Sequence, residues 1–228
     1  MKKIITLILG IALVFGCTSN NSNNSDSNNS ATSVSDVDGN SYNVVTICNQ
    51  TWTKSNLNVT HYRNGDEIPQ ATTPSELNGL STGAWCYYQN NTANGTIYGK
   101  LYNWYAVNDP RGLAPQGWHI PSDAEWTSLI NCLGGEAVAG RPLKETGVSH
   151  WEDPNDATNS SGFTALPGGF NQNGTFNYVG SYGVWWSSST DNSSFSKSWV
   201  RFIMATSPNC VRMNYSRTFY HSVRCVKD

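Results

Sequence analysis

The chain has 228 residues and a formal net charge of −2, and only 13% of its residues are charged, about half of the ~25% usual in soluble domains. This near-neutral balance, without a basic run, argues against a nucleic-acid partner. Aromatic residues reach 12%, with nine Trp and eleven Tyr, and Asn, Ser and Gly are frequent, which is typical of an exported, loop-rich domain.

The N-terminus predicts export. Met1-Lys2-Lys3 is a short basic region, and residues 4–15 are almost entirely apolar. This is the pattern of a secretory signal, and it is too short to span a bilayer, which takes about 20 residues. The run ends in Leu13-Val14-Phe15-Gly16-Cys17, which resembles the lipobox of bacterial lipoproteins, where cleavage precedes a Cys that is then acylated.

We therefore predict a signal peptide over residues 1–16, a lipid on Cys17 and an Asn/Ser-rich flexible tether over residues 17–33. The membrane is then a partner through the lipid, and the predicted location is the cell envelope, at the outer membrane. No acidic cluster follows Cys17, so the periplasmic and surface faces both stay open. The alternative is an ordinary signal peptide with a chance cysteine.

Residues 34–228 are long enough for one domain with its own core. Residues 42–48 and 51–53 predict a hairpin around Asn49-Gln50, and residues 84–88 predict a further strand. Thr73-Pro74 predicts the start of a short helix, because Pro suits the first turn. Residues 98–107 have aromatic side chains at helical spacing and predict a helix.

The stretch from Gly117 to Gly135 combines every local signal of a helix. Ser122 and Glu125 have the spacing of a capping box, in which each side chain satisfies an amide at the helix start. An apolar stripe at i, i+3, i+4, i+7 follows: Trp126, Leu129, Ile130 and Leu133. Gly134-Gly135 supplies a left-handed stop. This helix is expected to close the core.

The second half of the domain predicts β structure with long connections. Asn173-Gly174 is typical of a hairpin turn. The predicted strands are residues 163–170, 176–178, 183–189, 198–203 and 210–215, followed by a closing stretch at 222–227.

Seven segments, taken in order, resemble the Fibrobacter succinogenes major paralogous domain of exported proteins and lipoproteins. The segments are Gln50-Thr51-Trp52 with Asn56-Leu57, Trp85-Cys86-Tyr87, Tyr98-Gly99-Lys100-Leu101-Tyr102-Asn103-Trp104, residues 117–126, residues 162–169, Trp185-Trp186-Ser187-Ser188 and residues 222–228. The resemblance covers residues 38–228, and the family's molecular function is not established.

A more distant similarity concerns the fold. The acidic-Glu-Trp helix start and the final Val-Arg-Cys strand resemble the formylglycine-generating enzymes, which have a C-type-lectin-like fold. The resemblance implies an α+β, C-type-lectin-like fold with two main helices, small antiparallel sheets and long loops. Those enzymes use a reactive cysteine pair before the final strand, and here that region holds only Cys210. An oxidase of that kind is therefore not expected, nor is any cofactor.

The domain has five cysteines, an odd number that leaves at least one thiol unpaired. Many family members have a second cysteine after the Trp-Cys-Tyr run, and this chain has none there, so Cys86 is expected to pair with Cys48. Cys210 and Cys225 flank a hairpin predicted near Arg217-Thr218 and are expected to pair across it. Cys132 is the rival partner for Cys225.

A weak calcium candidate lies in the polar stretch at Asp153, Asn155 and Asp156, since hard cations prefer oxygen ligands. Asp153-Pro154-Asn155 is close to the sugar-linked calcium loop of C-type lectins, but their Trp-Asn-Asp strand is absent. A solvated loop is the favoured reading, and no other metal site is expected.

The aromatic residues suggest a binding face. Trp185 and Trp186 must point to opposite sides of a strand, so one is expected in the core and the other on the surface. A ligand site is predicted at Trp185, Trp199, Arg201, Asn214, Tyr215 and Arg217. Exposed rings beside polar side chains suit a glycan or a cell-surface protein, although core packing explains any single Trp without a ligand.

The sequence thus predicts a lipid-anchored, non-catalytic binding module for carbohydrate or a surface protein. The alternatives are a structural coat protein and, less favoured, an enzyme related to sulfatase-modifying proteins.

Overall fold

A computed structural model describes residues 32–228. The predicted signal peptide, the lipidated Cys17 and the tether up to residue 31 lie outside the described residues. Within them, no helix combines the length and the apolar character that a membrane span requires. Helices and antiparallel sheets are mixed, with more strand than helix, which confirms the α+β class.

The elements follow one another along the chain with short helices between strands. The strands are β1 (Ser33–Ser35), β2 (Ser41–Ile47), β3 (Gln50–Thr53), β4 (Trp85–Cys86), β5 (Leu101–Asn103), β6 (Trp118–His119), β7 (Gly168–Gln172), β8 (Thr175–Val179), β9 (Tyr182–Thr190), β10 (Lys197–Met204), β11 (Cys210–Ser216), β12 (Tyr220–His221) and β13 (Val226–Lys227). The helices are α1 (Pro74–Gly79), α2 (Thr92–Tyr98), α3 (Trp104–Val107), α4 (Asp123–Cys132) and α5 (Gly140–Leu143).

Three antiparallel sheets form the domain, with strand orders β1-β2-β3-β13-β6, β11-β10-β9 and β4-β5-β12-β7-β8. The first sheet joins the two ends of the domain, because Val226 of the last strand lies opposite Trp52 and His119. The β2–β3 and β7–β8 hairpins form where the sequence predicts them.

The sheet β11-β10-β9, hereafter the central sheet, separates two parts of the core. Trp185 packs on one side with Trp52, Trp126 and Phe163, whereas Trp186 packs in the cluster on the other side. Both rings are fully buried. The alternation predicted for this pair is confirmed, but the expectation that one ring is exposed is wrong, because both faces of the strand are covered.

Helix α4 confirms the strongest sequence prediction. The Ser122 hydroxyl accepts from the amide of Glu125, and the Glu125 carboxylate accepts from the amide of Ser122. Trp126, with Leu129 and Ile130, is buried, and its ring centroid lies 4.8 Å from that of Trp52. Among the described helices α4 is the longest, with 10 residues, so the expectation of two main helices holds only for this one.

The helix predicted over residues 98–107 is wrong for residues 99–103, and only its ends are helical. Helix α2 ends at Tyr98, and Gly99 adopts φ +74°, where a Cβ would lie 2.8 Å from the Leu57 carbonyl oxygen. The chain therefore turns at Gly99 and continues as β5. Asn103 then caps the short helix α3 by accepting from the amide of Ala106. The strand predicted over residues 163–170 begins only at Gly168.

The predicted disulfide pairings are also wrong. Cys48 pairs with Cys132, with 6.8 Å between their Cα atoms, because the β2–β3 turn packs against α4, where the Gln50 side chain also donates to the Glu125 carbonyl. Within residues 32–228, the three other cysteines are free and buried: Cys86, Cys210 and Cys225.

The free cysteines lie in three different parts of the core, so they cannot meet. Cys86 belongs to the cluster beneath α1, Cys210 to the Trp52–Trp126 cluster and Cys225 to the Trp186 cluster. The predicted hairpin between Cys210 and Cys225 does not form, because β11 pairs with β10 instead.

Candidate functional site

The candidate site is a partly exposed group of rings where the β8–β9 turn meets the central sheet. We name it the aromatic surface; it consists of Phe170, Tyr178, Tyr182, Phe202 and Tyr215. Strand β8 carries Tyr178 as its next-to-last residue and β9 begins with Tyr182; a tight turn joins them, in which the Ser181 amide donates to the Tyr178 carbonyl at 3.1 Å.

Tyr178 is the outermost ring of the aromatic surface. Its backbone has φ +63°, a conformation that is a genuine outlier for a bulky residue and costs on the order of 1–3 kcal/mol. This turn directs the ring onto that of Tyr182, with the centroids 4.3 Å apart and the planes at 28°. Half of Tyr178 (52%) stays exposed, so a strained backbone here presents a flat ring to solvent.

The rings beneath Tyr178 hold it in place and link it to the core. Phe170 is nearly buried and lies 5.9 Å from Tyr178 and 6.2 Å from Tyr215, while Tyr182 contacts Phe202 at 4.9 Å. Met213, which is 38% exposed, extends the apolar area along the face that Tyr215 occupies on β11. The surface is therefore preorganised by packing.

The electrostatics of the aromatic surface are neutral. Burial raises the pKa of the Tyr215 hydroxyl, so it stays protonated at physiological pH. His221 lies fully buried below, 5.3 Å from Tyr215 and 4.5 Å from Trp186, and neither of its ring nitrogens has a hydrogen-bond partner among the described residues. Burial lowers the pKa of His221 to about 3. The rings can thus stack against a ligand and exchange hydroxyl hydrogen bonds, and they carry no charge themselves. The Glu152 carboxylate lies at the turn between Tyr178 and Tyr182, where it accepts from the Ser181 hydroxyl.

Two of the six predicted ligand-binding residues are structural. Trp185 is fully buried, and its indole N–H donates to the Asn56 side-chain oxygen at 2.8 Å. The buried Arg201 guanidinium donates to the Asp123 carboxylate at 3.0 Å and to the Thr127 hydroxyl at 2.7 Å. Both side chains are buried and bonded within the domain, so they do not belong to an exposed binding face.

Trp199 and Asn214 lie opposite each other on the far face of the central sheet. The Arg212 guanidinium covers the Trp199 ring at 3.3 Å while it binds the Asp123 carboxylate. The Asn214 amide donates to Asp191 at 2.6 Å. Both side chains therefore already have partners within the domain.

Arg217 lies apart from the other predicted residues. Its guanidinium stacks on the Trp104 ring at 4.4 Å and donates to the Ser198 hydroxyl at 3.1 Å. Trp104 also lines a groove of about 310 Å³ with Tyr105 and Arg111. Of the six predicted residues, only Tyr215 belongs to the aromatic surface.

Sequence reasoning missed Tyr178 and Tyr182. Two tyrosines four residues apart, with Gly180 midway between two β-prone runs, are the available signal, because a tight turn brings such a pair together. The left-handed conformation of Tyr178, which produces the stacking, has no sequence signal of its own.

Two of the three calcium candidates, Asp156 and Asn155, are already bonded to other groups of the domain. Despite partial burial, which alone would raise it, the pKa of Asp156 is lowered by Lys144 and Arg141, which bind its two oxygens at 2.6 Å. The Asn155 amide donates to the carbonyls of Gly147 and Glu152. No group of three or more His, Cys, Asp or Glu among residues 32–228 is arranged to hold a metal ion.

A cluster of titratable groups binds the side chain of Asp228. His119 binds Asp228 through Nδ1 at 2.6 Å and Glu125 through Nε2 at 2.7 Å. Partial burial alone would lower the pKa of His119, but its hydrogen bonds to Asp228 and Glu125 raise it. Both ring nitrogens of His119 are therefore engaged by carboxylates of the domain.

A family model described as Fibrobacter succinogenes major domain (Fib_succ_major) matches residues 45–227. No curated protein and no solved structure shows a match to the chain. Because the family match spans most of the chain, from the β2–β3 hairpin to the last strand, the chain belongs to this family.

Proposed function

We propose that this member of the Fibrobacter succinogenes major domain family is a non-catalytic carbohydrate-binding module, tethered to the cell envelope by a lipid on Cys17. The observation that carries the proposal is the Tyr178–Tyr182 pair, a stacked and half-exposed aromatic platform held by a left-handed backbone. Backbone strain concentrates at binding sites, where the surrounding structure maintains it.

Carbohydrate fits this surface better than a charged ligand does. Sugar rings present C–H faces that pack on aromatic rings, and their hydroxyls pair with tyrosine hydroxyls, which both donate and accept. The aromatic surface carries no ionised group, and the buried His221 beneath it is neutral. A surface protein is the second ligand class, and a structural coat protein is the alternative function.

We also propose that the fold is C-type-lectin-like and distantly similar to that of the formylglycine-generating enzymes. Support comes from the short helices, the small antiparallel sheets and the first sheet, in which strands from both ends of the domain pair. A fold of this kind supports binding through loops, but function must be argued from the site itself.

A glycan array probed with the purified protein tests the binding proposal. We expect the protein to be retained on at least one glycan class. Because the rings of the aromatic surface are uncharged, uncharged glycans are expected to bind as well as acidic ones do. If the protein is retained on no glycan but is captured by a surface protein of the same cell, the carbohydrate proposal is wrong and a surface protein is the ligand.

The lipid anchor has a separate test. Cys17→Ala removes the only residue proposed to be acylated, so the variant is expected to leave the membrane fraction of the producing cell. If Cys17→Ala still partitions with membranes as the unchanged protein does, the anchor proposal is wrong.

A further inference from the structure

Strand β11 is one of the two outer strands of the central sheet, and it is longer than every edge strand of the two other sheets. It has seven residues, whereas the edge strands of the two other sheets have two to five: β1, β4, β6 and β8. Edge strands present unpaired backbone groups, and proteins usually keep them short or block them with Lys, Pro or a bulge. β11 has no Lys, no Pro and a regular register with β10.

The backbone groups on the outer side of β11 can be assigned from the ladder. The Cys210 amide donates away from the sheet, to the Glu136 carbonyl at 2.8 Å. Because antiparallel partners alternate between inward and outward hydrogen bonding, the N–H and C=O groups of Arg212 and Asn214 also point outward. No residue within 32–228 pairs with them.

The opposite edge of the same sheet is blocked. On β9, the amide of Trp186 donates to the Ser222 carbonyl, the Val184 carbonyl accepts from the Ser222 amide, and the amide of Ser188 donates to the Pro121 carbonyl. The central sheet therefore has one closed edge and one open edge, and the open edge carries the exposed Met213.

We propose that β11 pairs with β11 of a second copy of this chain, in an antiparallel register centred on Met213. In this register, Arg212 lies opposite Asn214 of the second copy, and these outward-pointing residues exchange backbone hydrogen bonds. Met213 lies opposite its own equivalent, at the closer non-hydrogen-bonded spacing. The result is an isologous twofold dimer with a continuous six-stranded sheet.

Charge selects this register over the one centred on Arg212. Centring the pair on Arg212 would place the two Arg212 side chains directly opposite each other, and like charges opposite each other are destabilising. Centring it on Met213 places Arg212 opposite a neutral amide, while Asp123 already neutralises the Arg212 guanidinium at 2.8 Å. On the other face, Val211 and Tyr215 meet across the dyad, so the apolar side chains cluster.

The dimer would place both aromatic surfaces on one side of the joined sheet. Tyr215 and Met213 share a face of β11, and a dyad perpendicular to the sheet keeps that face common to both copies. When one aromatic surface has bound a glycan polymer, binding of the same polymer to the second surface becomes intramolecular. Its effective concentration is then set by the spacing of the two surfaces. This consequence rests on the proposed function, whereas the strand pairing does not.

Sedimentation velocity of the purified protein, without any glycan, tests the pairing over a wide concentration range. We expect a concentration-dependent dimer. Asn214→Pro removes an outward N–H and leaves the ladder to β10 intact, and is expected to weaken dimerisation about tenfold or more. Asn214→Ala is the matched control, because both variants lose the bond to Asp191, and it is expected to dimerise.

Met213→Cys tests the register. The central position brings the two introduced thiols within disulfide range, so mild oxidation is expected to give a covalent dimer. Val148→Cys is the control, because it places a thiol at an exposed position outside β11. After the same oxidation it is expected to run as a monomer on a non-reducing gel. A protein that stays monomeric at every concentration, or a dimer that Asn214→Pro leaves unchanged, would overturn the proposal.

Discussion

Replacing Arg224 with Met is expected to lower the free energy of unfolding by about 3–5 kcal/mol, because several buried acceptors lose their donor at once. The guanidinium is fully buried and donates to the Asn56 side chain at 2.7 Å. It also donates to the carbonyls of Thr53 at 2.6 Å, Phe163 at 2.9 Å and Thr164 at 2.8 Å. It thereby joins its own segment to two others, residues 53–56 and 163–164.

All four acceptors of Arg224 are neutral, and burial lowers its pKa to about 9. Geometry rather than charge pairing therefore holds this residue, and Arg224→Lys is expected to recover only part of the stability, because an ammonium lacks the planar fork. Urea unfolding measures both variants. Arg141→Met is the control: Arg141 is half exposed and binds Asp156 at the surface, so a loss of about 1 kcal/mol or less is expected. An Arg224→Met protein as stable as the control would contradict this account.

Cys132→Ser is expected to lower the free energy of unfolding by about 2–5 kcal/mol. The Cys48–Cys132 disulfide joins residues 84 positions apart, and a long closed loop restricts the unfolded chain strongly. The bond also fixes the β2–β3 turn to the end of α4, the helix that closes one side of the core.

A reductant separates the disulfide from the loss of a side chain. Reduction is expected to bring the unchanged protein to the stability of Cys132→Ser and to leave that variant unaffected. Peptide mapping without reduction is expected to recover Cys48 linked to Cys132, with Cys86, Cys210 and Cys225 as free thiols. Cys48 recovered as a free thiol would show that the pairing is wrong.

Local signals predicted the local elements. Helix α4 forms as expected because its caps and its apolar stripe are contained in one stretch of sequence. The β2–β3 and β7–β8 hairpins likewise follow from their turn residues. The segment after Tyr98 was mispredicted, because the contact between Gly99 and Leu57 that turns the chain links residues far apart in sequence.

The candidate site could not be predicted from local sequence signals. Burial of Trp185 and Arg201 depends on α4 covering one face of the central sheet, and this packing is not visible in strand alternation. Tyr215 was found because it is an aromatic residue on a predicted strand. The stacking of Tyr178 on Tyr182 depends on a left-handed backbone. No periodicity of the sequence predicts such a conformation.

The most direct test of the central claim is a calorimetric titration of the purified protein with the best-bound glycan from the array. Tyr178→Ala is expected to weaken binding about tenfold or more, since truncating an aromatic anchor costs roughly 1–2 kcal/mol or more. Phe195→Ala removes a fully exposed ring outside the aromatic surface and is expected to bind like the unchanged protein. Equal affinity for Tyr178→Ala and Phe195→Ala would contradict the assignment of the aromatic surface as the carbohydrate site.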